Sequence, residues 1–108
     1  MRRASNGGVE VLNCSEALNA DEMVSMRNRM NRLISRNQKN VVLDMSQTSS
    51  VDLVSLGILV ERLRTLRSLK GDIKFCNIRP EIHQVLQLVG LNGLMEFFGS
   101  REEALASF

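Results

Sequence analysis

The chain has 108 residues, 44% of them hydrophobic, which is material for one core and one domain, since a domain typically spans ~100–200 residues. Its only aromatic residues are four phenylalanines, so Leu, Val, Ile and Met must fill the interior. A net charge of +2 does not argue for nucleic acid, and no run approaches the ~18 apolar residues of a membrane span. Residues 1–5 lack an apolar signal core, and the expectation is a cytoplasmic protein.

Asn6-Gly7-Gly8 is a turn signal, and Val9-Glu10-Val11-Leu12 after it alternates like a strand. Residues 1–8 are expected to form a short edge strand beside it or a loose N-terminus. Asn19 opens a helix, with a side chain able to cap the first turn and Glu22 three residues on, as in a capping box. Met23, Met26, Met30, Leu33 and Ile34 recur at spacings of three and four and make one apolar stripe. Arg27, Arg29, Arg32 and Arg36 fall largely off that stripe.

Val41-Val42-Leu43-Asp44-Met45 reads as a buried strand, and a polar loop follows over residues 46–50. A second helix begins between residues 52 and 55 and runs to about Leu69. Leu56, Leu59, Val60, Leu63 and Leu66 are its buried stripe, with Glu61, Arg62, Arg64 and Arg67 on the polar side. Gly71 suits the exit. Residues 72–77 form the next strand. Pro80 stands at the first position of a helix with Ile82, Val85, Leu86 and Val89 as its apolar face, closed by Gly90. Residues 95–98 are a last short strand, and Ser100 with Glu103 starts a final helical piece.

Strands alternating with amphipathic helices imply crossover connections. The fold class is α/β: a single domain over residues 1–108, with a mixed four- to five-stranded sheet and about four helices mainly on one face.

The residues of an active site are missing. The one histidine, His83, sits mid-helix with no Cys or Asp at ligand spacing. Gly7-Gly8 precedes a strand and Gly90 follows a helix, the reverse of a phosphate-binding loop. Cys14 and Cys76 lack paired spacing and lie in apolar runs, so both are expected as buried free thiols. No enzyme, no catalytic residue, no cofactor and no metal is expected. Between Arg27 and Arg79 stand eleven basic residues and four acidic ones; solvated helix faces explain most of this excess, with a dedicated surface for an anionic partner as the alternative.

One segment is more specific. Val41-Val42-Leu43-Asp44-Met45 leads through the polar loop to Val51-Asp52-Leu53-Val54-Ser55-Leu56-Gly57-Ile58-Leu59, then Gly71-Asp72-Ile73-Lys74-Phe75-Cys76-Asn77, then Pro80-Glu81-Ile82 and Leu88-Val89-Gly90-Leu91. This order resembles the STAS domain family, the anti-sigma factor antagonists and related modules. There a strand ending in Asp-Leu precedes an Asp-Ser-Ser-Gly-Leu-Gly turn, and a later helix ends in Gly-Leu. Ala17-Leu18-Asn19-Ala20-Asp21-Glu22 and Ser100-Arg101-Glu102-Glu103-Ala104-Leu105 are similar to the family's lead-in to its first helix and to its acidic last helix.

The resemblance implies a turn bearing a serine or threonine that a partner kinase phosphorylates. Matched without a gap, Asp52 takes the place of the aspartate and Leu56-Gly57 that of Leu-Gly. The hydroxyl positions then fall on Leu53 and Val54, and Ser55 falls where the family has glycine. Ser55 is either a helix-capping residue or a displaced phosphorylation site, with Ser49 and Ser50 as weaker candidates.

A partner-binding regulatory module is therefore expected, with Val51, Asp52, Leu53, Val54, Ser55 and Gly57 as its contact. Its partner would be an anti-sigma factor kinase or a phosphatase, and dimerisation is left open. The alternative is a constitutive scaffold, a subunit of a signalling or membrane lipid-transport complex.

Overall fold

The computed structural model describes residues 8–108, so the expectation for residues 1–8 lies, but for Gly8, outside the described residues. In chain order the elements are β1 (Val9–Asn13), β2 (Ala17–Leu18), α1 (Ala20–Ser35), β3 (Asn40–Asp44), β4 (Ser50–Val51), α2 (Leu53–Ser68), β5 (Asp72–Cys76) and α3 (Pro80–Leu88). A 3-10 turn (Asn92–Leu94), β6 (Phe97–Phe98) and α4 (Arg101–Ala106) complete the chain.

The main sheet runs β1-β3-β5-β6, and β2 and β4 form a separate two-stranded ladder. Every pairing among the described strands is parallel, where a mixed sheet was expected. Parallel neighbours need a crossover, so each helix starts at the carboxyl edge of the sheet and returns to the amino edge.

Residue alternation along the strands makes two layers. Val41, Leu43, Ile73 and Phe75 face α1, α2 and α3 in one apolar cluster with Met23, Met26, Met30, Leu33, Leu56, Leu59, Leu63, Leu66, Ile82 and Leu86. Val9, Val42 and Cys76 face the other way, against Ala104 of α4. The methionine stripe is thus core, as its spacing implies.

Four apolar side chains depart from the stripes. Ile34, Val60 and Val85 are only half-buried, and Val89 is exposed because it is the residue that ends α3. Arg62, expected on the polar face, is buried. Its guanidinium donates to Asn31 Oδ1 across the α1–α2 seam at 2.7 Å and to Glu61 at 2.5 Å, so the charge is paired where it leaves water.

Asn19 caps α1 through Glu22 N–H, and Ser100 caps α4 through Glu103 N–H. Lys74 of β5 is buried on the α4 face. Its ammonium donates to the Ser107 carbonyl at 2.8 Å and lies 4.7 Å from the Phe108 ring centre.

Gly71 is required for space. A Cβ there would stand 1.9 Å from the Lys39 carbonyl oxygen, where the exit from α2 crosses the entry to β3. Gly71→Ala is expected to cost about 2 kcal/mol or more, because backbone must move, read as a lowered midpoint in urea unfolding.

Candidate partner-docking site

From Thr48 onward the loop from β3 to α2 is tied at every step to residues 15–18. Thr48, fully buried, donates its hydroxyl to the Ser15 carbonyl at 2.8 Å. The N–H groups of Ser49 and Ser50 both reach the Glu16 carbonyl. Next, Ala17 pairs with Ser50 and Leu18 with Val51, and Asp52 N–H donates to the Leu18 carbonyl at 3.2 Å. A stretch that reads as a polar loop therefore has a fixed path.

That path ends in a reciprocal cap on α2. Asp52 Oδ1 accepts the Ser55 N–H at 2.7 Å, while the Ser55 hydroxyl oxygen faces the Asp52 N–H at 3.3 Å. The single hydroxyl proton serves the Leu18 carbonyl at 2.6 Å and Asp52 Oδ1 at 2.7 Å. Hydrogen bonds from the Ser55 N–H and hydroxyl hold the Asp52 carboxyl below the usual carboxylate range.

The two residues between cap and box are pushed into solvent. Leu53 is 73% exposed and Val54 62%, while Leu56 behind them anchors the helix in the core. Around this knob the acidic residues Glu16, Asp21 and Asp52 are also exposed.

A second cluster lies beneath the loop. Asp44, at the end of β3, is 5% exposed and accepts from Arg101 Nε at 2.6 Å, Ser46 N–H at 3.0 Å and Asn77 Nδ2 at 3.3 Å. Arg101 also reaches Asn13 Oδ1. Burial pushes the Asp44 pKa up, but the Arg101, Ser46 and Asn77 hydrogen bonds together outweigh it and hold the carboxyl below its ordinary value. The cluster ties α4 to the first residue of the loop.

Other reactive groups are idle. Burial pushes the Cys14 thiol up to about 12 and the Cys76 thiol up to about 11, and both are free. His83 packs edge-on against Phe97 with ring centres 5.1 Å apart. Among the described residues no three His, Cys, Asp or Glu side chains are placed to hold a metal ion.

The profile of the STAS domain family matches residues 2–104. The chain belongs to the STAS domain family. An anti-sigma F factor antagonist from Paenibacillus polymyxa is 25% identical over 99 residues, covering 91% of this chain and 85% of that protein. The fold is shared with the Bacillus cell fate determinant SpoIIAA in its phosphorylated form (TM-score 0.74, 20% identity, 97% and 95% coverage). It is also shared with a sulfate transporter family protein from Wolinella succinogenes (TM-score 0.84, 15% identity, 97% and 88% coverage). The chain is an anti-sigma factor antagonist-like STAS domain.

Within this STAS domain the residues singled out from sequence divide into two sets. Asp52, Leu53, Val54 and Gly57 are exposed and Val51 is half-buried, all at one helix start. Ser55 is 0% exposed with its hydroxyl turned inward onto the Leu18 carbonyl, the geometry of the capping alternative rather than of an accessible hydroxyl. The exposed hydroxyls of the loop are Ser46, Ser49 and Ser50. Sequence reading missed Thr48 and the β2–β4 ladder, since two residues carry no periodicity. It also passed over Asp44 as a site, although an aspartate inside an apolar strand is itself a signal that a partner waits there.

Ser55→Ala is expected to cost about 1–2 kcal/mol by removing half of the box. Ser55→Asp should cost more than about 3 kcal/mol, since it buries a carboxylate beside Asp52. Denaturant titration of both variants checks the order.

Arg101→Met should cost about 2 kcal/mol at pH 7, leaving Asp44 buried with its main charged partner gone. In the native chain the depressed Asp44 pKa stabilises the fold above the unfolded value and is lost as pH falls through the folded one. The variant's Asp44 is expected to titrate higher, so the stability gap between the two proteins should shrink below about pH 4. Urea midpoints compared at neutral and acid pH measure it.

Proposed function

We propose that this chain is a regulatory, non-enzymatic partner-binding module of the anti-sigma factor antagonist kind. It docks on an anti-sigma factor kinase through Val51, Asp52, Leu53, Val54 and Gly57. The observation that carries the reading is the pair Leu53 and Val54, bulky apolar side chains held in water on a doubly capped helix start. Side chains on a backbone already ordered lose little freedom on docking, and removing them from water favours the complex.

In this reading the phosphoserine switch is absent. A phosphate at the knob would add ~1.5–2 negative charges to the contact, but Leu53 and Val54 have no hydroxyl to accept it. Ser55 has one, and it is enclosed between Leu18 and Asp52. The kinase is then a binding partner without a substrate at this turn, and a phosphatase has no phosphoserine there to hydrolyse.

The same fixed, unmodified surface favours a second reading, a constitutive STAS scaffold in a signalling or membrane lipid-transport complex. Affinity capture from the native host separates the two: an anti-sigma kinase supports the first, membrane ATPase subunits the second. With either partner, Leu53→Asp is expected to weaken binding at least about tenfold, near 1.4 kcal/mol, with an unchanged melting temperature. Unchanged affinity would place the interface elsewhere.

A further inference from the structure

We propose that the amino edge of the sheet, opposite the docking knob, is a second interaction surface that rests on an anionic lipid surface. It does not depend on the anti-sigma reading. Five cations gather there: Arg32, Arg36 and Lys39 at the end of α1 and the turn into β3, with Arg64 and Lys70 at the end of α2 and the turn beyond it. None of the five makes an ion pair among the described residues. The two turns touch, since Asp72 N–H donates to the Lys39 carbonyl at 3.0 Å.

Apolar side chains stand exposed at the same end. Leu69 is 40% exposed beside Lys70, and Leu88 (86%) and Val89 (42%) finish α3. The chain beyond α3 is held to the end of α2 by Arg67, which donates to the Leu94 carbonyl at 2.8 Å and pairs with Asp72 at 2.9 Å. Three helices therefore end together.

Helix dipoles favour cations in a last turn, which explains Arg32 in α1 and Arg67 in α2. They also favour Arg36 at the cap of α1 and Lys70 just past the cap of α2, but they do not explain Lys39 beyond the turn, nor a leucine left in water beside these cations. Unpaired cations together with protruding leucines suit a surface that offers diffuse negative charge and apolar depth, as anionic lipid does. An acidic protein would need sockets matched to side chains spread over three helix ends. Bound this way, the domain would turn Leu53 and Val54 away from the lipid.

Sedimentation with phosphatidylglycerol vesicles tests the proposal, with phosphatidylcholine vesicles as the neutral comparison. The whole chain should bind the first and not the second, and about 0.5 M salt should release it. Arg36→Glu, Lys39→Glu and Lys70→Glu together should lower binding at least roughly a hundredfold, about fivefold for each cation removed. Leu88→Ser should lower it several-fold with an unchanged melting temperature. Circular dichroism verifies the triple variant, and the salt titration and Leu88→Ser carry the test if it does not fold. No binding to phosphatidylglycerol, or equal binding to phosphatidylcholine, overturns the proposal. So does wild-type binding by Leu88→Ser combined with full competition by poly-glutamate, which would assign the surface to an acidic protein.

Discussion

One hydroxyl sets the position of the exposed knob at the start of α2. Ser55 closes the reciprocal cap with Asp52 and spends its proton between the Leu18 carbonyl and that carboxylate; Ser55 and Leu18 are out of contact with water, while Asp52 stands at the surface. A buried polar group left without a partner costs about 1–3 kcal/mol, so the start of α2 has little freedom to shift away from residues 15–18. Leu53 and Val54 lie between the two halves of this cap and have nowhere to pack. Their exposure follows from the way the helix is fastened.

The fastening is continuous with the rest of the fold. Asp44 begins the loop and is tied to α4 by Arg101, Thr48 holds its middle, and Leu18 receives its end. Elements distant in sequence thus converge on a few residues before α2. An arrangement of this kind makes a preformed surface, and it encloses the hydroxyl of the one serine at the helix start.

Parallel pairing has a further consequence. Because every crossover returns the chain to the same edge, helix starts collect at one end of the molecule and helix ends at the other. Carboxylates such as Asp21, Glu81 and Glu102 stand at the first, in keeping with the helix dipoles. Exposed apolar residues occur at both, so the domain has two unlike faces to offer.

The sequence alone determined the succession of the helices and of the four strands of the main sheet, the methionine stripe of α1, the leucine stripe of α2 and the caps at Asn19 and Ser100. These depend on spacings within a few residues, and a helix or strand period records them directly. It also located the knob, since the match of Asp52 and Leu56-Gly57 puts Leu53 and Val54 at the turn. Tertiary structure alone decided that every described strand pairs in parallel, that residues 50–51 join residues 17–18, and that Arg62 and Asp44 are buried with partners 31 and 57 residues away. It alone turned Ser55 inward. Those outcomes depend on which distant backbone groups come within hydrogen-bonding reach, and that is set only when the layers close.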